Sequence, residues 1–215
     1  MNAAANEIWV IDEVALKGKR KATKTWNGVA WSGGSAPTTT DAILIAGDYD
    51  SQTVGSGFSG CECEVSSGKT VTVATSHQID IQSDLKNNGV VIFNDSSSLL
   101  QHHKNAINSG NVTIKRNTTT MYRYDFTYWS SPLTLDSNFK LGTDVVSLSP
   151  DTLLDKFYSW NHGGSAWQTI MGGNQVMIPG SGYAVRAPQS YPIEGSGLPA
   201  GRLGGAAARR AGVCR

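Results

Sequence analysis

Charge is scarce in this chain of 215 residues and almost cancels, with 18 Lys and Arg set against 17 Asp and Glu. Such a balance argues against nucleic acid as a principal partner. Only Lys17, Lys19, Arg20, Lys21 and Lys24 concentrate positive charge, and that run reads as a solvated linker. Long apolar runs are missing too. The only N-terminal candidate, Ile8 to Leu16, is interrupted by Asp12 and Glu13, so neither a membrane-spanning helix nor a secretory signal is expected. Cysteine is limited to Cys61, Cys63 and Cys214, too few for a disulfide framework. Cys61 and Cys63 lie two apart, where a strand points both to one face, and they read as small buried apolar groups.

The common catalytic and cofactor signatures are also lacking. Gly55-Ser56-Gly57-Phe58-Ser59-Gly60 has the letters of a dinucleotide fingerprint, but a Cys-Glu-Cys-Glu-Val strand follows it where the mechanism needs a helix N-terminus for pyrophosphate. It reads as a turn. There is no G-x-S-x-G elbow, and His77, His102, His103 and His162 lack the spacing of a zinc-binding helix.

What the chain does have is glycine, 24 residues of it, together with abundant Ser, Thr and Asn. Dense turns between short strands suit an all-β fold and exclude a helical bundle. Ile43–Ile45, Cys61–Val65, Val71–Val73, Ile79–Ile81, Val90–Phe93 and Val112–Ile114 mostly alternate apolar with polar, the period of half-buried strands. The clusters recur after about 20 residues, the length of a solenoid rung. The expected fold is a short right-handed parallel β-helix or solenoid followed by an incomplete β module; an antiparallel β-sandwich is the alternative. Residues 1–22 form an N-terminal extension, 23–116 the solenoid and 117–194 the second module. The Gly, Ala and Arg-rich segment 195–215 resembles a translated cloning linker and is set apart from the fold. Trp26 and Trp31 flank Asn27-Gly28, a dipeptide suited to a tight hairpin, and the pair reads as a cap on the stack or an aromatic sugar platform.

Four stretches carry a resemblance: Asn111 to Pro132, Trp26-Asn27-Gly28, Ala46-Gly47-Asp48-Tyr49 and Gly182-Tyr183-Ala184-Val185-Arg186-Ala187-Pro188. Together they resemble large secreted or surface proteins of Bacteroidetes, flavobacteria above all, of the kind exported by type IX secretion. The resemblance covers roughly Thr23 to Pro192. It implies a stalk with β repeats at the cell surface, and a chain that is one piece of a longer parent protein.

Two sets of residues are candidate sites. Asp48 and Asp50 at i, i+2, with Asp41 nearby, offer oxygen ligands of the kind calcium takes, although the further ligands of a calcium loop are missing. Tyr122, Tyr124, Phe126 and Tyr128 alternate with period two, which puts their rings on one face; with Trp129 they offer a glycan-binding surface or a buried interface between modules. Asp125 and Asp155 are the remaining carboxylates of interest and read as turn anchors or partners of Arg123 and Lys156. The function these features suggest is a secreted or surface stalk or adhesive module that binds a glycan or another cell-surface polymer. The alternative is a calcium-assisted hydrolase of a polysaccharide, ester or lactone.

Overall fold

The computed structural model describes residues 23–135, 139–142, 147–193, 202–203 and 207–209. The extension 1–22, part of the alternation expected from Phe139 to Val146, most of the tail and Cys214 lie outside the described residues.

Eleven short strands build the first part: β1 Thr23–Trp26, β2 Ala42–Ile45, β3 Tyr49–Asp50, β4 Phe58–Gly60, β5 Glu62–Val65, β6 Thr70–Val73, β7 Gln78–Ile81, β8 Leu85–Asn87, β9 Val90–Phe93, β10 Ser98–Gln101 and β11 Asn111–Ile114. They sort into three parallel sheets, β1-β2-β5-β8, β3-β6-β9-β11 and β4-β7-β10, which make a parallel β-solenoid of about five turns. In most of these strands buried and less buried positions alternate, so one set of side chains points into the stack. Register then places like on like. Ile43 lies over Cys63 and Leu85, Tyr49 over Val71, Val91 and Val112, and Phe58 over Ile79 and Leu99. These columns form one continuous core.

A buried polar residue enters one column. Asn87 follows Ile45 and Val65 and is buried, yet both ends of its amide are satisfied. Its nitrogen donates to the carbonyl of Asn111, and its oxygen accepts from the Gly89 N–H at 2.9 Å, which ties the turn to the next rung. A buried amide bonded at both ends avoids the desolvation cost of an orphaned one.

The N-terminal end is closed by the expected Trp hairpin. Trp26 and Trp31 bridge antiparallel, and the Asn27 side chain accepts from the N–H groups of Val29 and Ala30, both at 2.9 Å. Trp26 is buried, donates from Nε1 to the Asp48 carbonyl at 2.9 Å, and packs with Trp31 and Tyr49, both of which meet Phe58. Gly28 has φ of +103°, and its backbone presses so close to Gly47 that a Cβ on Gly47 would stand 2.3 Å from the Gly28 nitrogen.

After the two-residue strand β12 Arg116–Asn117, the second part is an antiparallel sheet of β13 Phe126–Trp129, β14 Phe157–Asn161, β15 Ala166–Thr169 and β16 Tyr183–Arg186 in the order β13-β16-β14-β15. One of its faces packs on a second core of Phe139, Leu141, Leu148, Phe157, Met177, Tyr183 and Val185. From the tail, β17 Arg202–Leu203 and β18 Ala207–Arg209 pair antiparallel with β12 and β11. The tail thus supplies backbone partners to the last rung.

Two local expectations change. The aromatic run is a strand only from Phe126, because the Asp125 carboxylate captures the Tyr122 N–H at 2.8 Å and closes a turn over Tyr122 to Asp125; a side chain that bonds local backbone competes with the sheet ladder. Cys63 is buried in the stack, whereas Cys61 sits just before β5 and is only half-buried.

Burial pushes the Cys63 thiol up to about 12, with the Glu64 charge adding to it. In a Cys214→Ser background, a thiol reagent under native conditions is expected to label Cys61 while Cys63 reacts only on unfolding. Gly47→Ala is expected to lower stability by about 1–3 kcal/mol through overpacking of backbone against backbone, a melting temperature several degrees lower. A thermal melt indistinguishable from the parent would refute that close contact.

Candidate functional site

The outer face of the antiparallel sheet is aromatic. Residues directly opposite across the ladder share a face, and the register sets Phe126 against Arg186, Tyr128 against Ala184, Ala184 against Tyr158 and Trp160 against Trp167. Ala184 on the central strand is buried with no ring of its own, so side chains from the flanking strands meet above it. Phe126 reaches Tyr158 at 5.8 Å between centroids, Tyr128 reaches Trp167 at 5.9 Å, and Trp160 meets Trp167 edge-on at 5.3 Å. The rings stay open to solvent: Phe126, Trp160 and Trp167 are each more than 40% exposed and Tyr128 is 72% exposed.

Sequence reasoning found half of this face. Tyr128 belongs to it, and Tyr124 stands at its end with its ring 5.6 Å from the Arg186 guanidinium. Tyr122 sits in the preceding turn. Trp129 points the other way, against the second core, and lines a cleft of about 530 Å³ with Ile114, Arg116, Leu133 and Met177. The rings on β14 and β15 were missed as site residues. Their signal was Tyr158 and Trp160 at i, i+2 and Trp167 just after the Asn161 to Gly164 turn, a hairpin that stacks Trp on Trp.

The carboxylates do not converge. Asp41 is buried and accepts from both the N–H and the hydroxyl of Thr38, each at 2.8 Å. Asp48 accepts from the Thr70 N–H and Asp50 from the Gln52 N–H, both at 2.9 Å, the latter as cap of the single turn α1 Ser51–Val54. Asp48 and Asp50 open on one groove of about 770 Å³ beside Trp31, Thr70 and Thr72, and Asp41 does not line it. Among the described residues no group of three or more His, Cys, Asp or Glu is placed to hold a metal ion, so the geometry gives the calcium reading no support.

A Ser–His pair does occur. Ser51 Oγ lies 2.9 Å from His77 Nδ1, but Ser51 is fully buried and its Oγ also accepts from the Ala74 N–H at 2.7 Å. A nucleophile must be reachable by its substrate. This pair ties two rungs together.

Residues 17–201 match the profile of DUF8693, a domain of unknown function. The chain belongs to the DUF8693 family. The match runs across solenoid and antiparallel sheet alike, so the aromatic face lies within the DUF8693 region. No curated protein and no solved structure matches the chain.

The Asp41 contacts predict an acid dependence. The Thr38 N–H, then its hydroxyl, and more weakly the Lys24 charge hold the Asp41 carboxyl below its ordinary range. A folded-state pKa below the unfolded one contributes stability above the unfolded value that is lost as pH falls through the folded value. Asp41→Asn is therefore expected to cost stability at neutral pH, and its deficit to shrink below about pH 4. Denaturant melts of both proteins at neutral and acid pH measure the gap; a constant gap would contradict the assignment.

Proposed function

We propose that this chain is a stalk-like adhesive module of a secreted or cell-surface protein, of the Bacteroidetes kind its motifs resemble, and that its antiparallel sheet binds glycans. The carrying observation is the ring cluster of exposed Phe126, Tyr128, Trp160 and Trp167 with half-buried Tyr158. A contiguous apolar surface left in water marks an interaction site. The C–H faces of a pyranose ring suit the negative face of an aromatic ring, and Tyr hydroxyls and indole N–H groups supply polar handles to sugar hydroxyls. The rings are mutually tilted, by 38° for Tyr128 and Trp167 and 60° for Phe126 and Tyr158. Such a surface suits successive sugars of a twisted chain better than one flat ligand. The solenoid supports the stalk role, since it presents three regular sheets with polar side chains bridging adjacent rungs on the outside, such as Lys86 to Glu64 at 3.0 Å.

One observation speaks for hydrolysis, the pair Asp48 and Asp50 in the groove beside Trp31. The same purified protein separates the readings. Binding to a panel of soluble polysaccharides is expected without release of reducing ends. Tyr128→Ala and Trp167→Ala are each expected to weaken retention about tenfold, the scale of an interface hot spot, and to leave the melting temperature almost unchanged because both side chains are exposed. Retention unaffected by either change would refute the aromatic face. Product release abolished by Asp48→Asn or Asp50→Asn would favour the hydrolase.

A further inference from the structure

The aromatic face ends on a buried positive charge. Arg186 stands opposite Phe126 on the outer side of the sheet, next in line after Ala184 on that face. It is only 7% exposed. Its Nη2 donates to the Gln189 amide oxygen at 2.6 Å, the Tyr124 ring lies against the guanidinium, and its Nε has no partner. Among the described residues no carboxylate forms an ion pair with it. An acidic group in its field, Asp155, is hydrogen-bonded to Lys156, whose carbonyl accepts the Arg186 N–H.

A guanidinium cannot shed its proton, and a buried charge without a counter-ion is costly. An amide oxygen and a ring face neutralise no charge. What is missing is an anionic, planar or tetrahedral acceptor, and on the ring side the guanidinium is flanked by the Tyr124 ring, with Phe126 opposite on the ladder. Tyr124, which lies against the guanidinium, is more than half exposed and sits in the turn before β13.

We propose that the aromatic face takes anionic polysaccharides, with sugar rings stacked over Tyr128 and Trp167 and a carboxylate or sulfate of the same polymer paired with the Arg186 guanidinium. This rests on the glycan reading and narrows it to a substrate class. Carboxylate and sulfate share the chemistry that guanidinium recognises, two oxygens accepting two parallel N–H bonds.

The test compares polygalacturonate, the same polymer after reduction of its carboxyl groups, and dextran sulfate, by affinity electrophoresis and calorimetry at about 0.15 M salt, where long-range attraction is screened. The wild-type protein is expected to bind one of the anionic polymers about tenfold or more tightly than the reduced one, as a charge-assisted bond requires. Preference for polygalacturonate assigns carboxylate and preference for dextran sulfate assigns sulfate. Arg186→Met is expected to abolish the preference while retaining the reduced polymer, and Lys156→Gln to weaken it only slightly. The comparison of native with reduced polymer uses the wild-type protein alone, so it decides even if Arg186→Met fails to fold. Equal binding of all three polymers would overturn the anionic inference and leave the aromatic face standing. An anionic preference that survives in folded Arg186→Met would also overturn it. Failure to bind any of the three or any neutral β-glucan would remove the glycan reading itself.

Discussion

A stack of parallel strands has no natural last member. Each inner rung satisfies its backbone groups and covers its apolar side chains against neighbours above and below, but the first and last rungs have a neighbour on one side only. Much of this chain outside the regular rungs deals with that constraint. At the N-terminal end the hairpin folds Trp26 and Trp31 across the opening, over Tyr49 and Phe58, and the glycine pair at positions 28 and 47 allows the approach. At the other end Leu99, Val112 and Ile114 are only partly covered, Pro132 and Leu133 line the cavity beneath them, and β18 pairs with the open edge of β11. The antiparallel sheet follows directly from that end.

The same constraint shapes the solenoid's outer faces. Alternation sends the inward half of each strand to the core, and the outward half forms polar contacts from rung to rung: Glu64 with Lys86 and Asn88, Asp80 with His102. The antiparallel sheet is freer. One face meets the second core and the other is uncovered, so a ligand surface there costs the core nothing.

The rungs were legible because each apolar column leaves a period-two trace, and Ile43, Val71, Ile79 and Val91 all fell where alternation put them. Strands carrying little apolar signal were not. β3 is two residues long, β4 lies inside the glycine-rich Gly55 to Gly60 run, and β8 reads Leu-Lys-Asn, with Asn87 buried by hydrogen bonding that no hydropathy pattern reveals. The aromatic face was half legible for a different reason. Period two shows that Phe126 and Tyr128 share a side, but only the β13-β16-β14-β15 order shows that Tyr158, Trp160 and Trp167 join them. The same order reverses Trp129. Asp48 and Asp50, two apart, do open on one groove, whereas Asp41 is bonded to Thr38 and does not line it.

Stability alone gives no reason for rings on that outer face. The second core closes on the opposite side through Phe157, Tyr183 and Val185, and the outer rings contribute nothing to it. Their contacts with one another remove some aromatic surface from water, yet Trp160 and Trp167 remain more than 40% exposed. A solvated sheet face needs only residues such as Thr70 and Thr72, which stand on the outer side of β6 in this same chain. Small residues over the central strand work in the same direction. A large side chain at Ala184 would cover the floor and separate Tyr128 from Trp167, whereas Ala184 with Gly182 lets the two rings meet across two strands. A sheet that keeps bulky rings on its water side and small residues beneath them has an arrangement that the packing of the second core does not require, which is what the proposed glycan reading rests on.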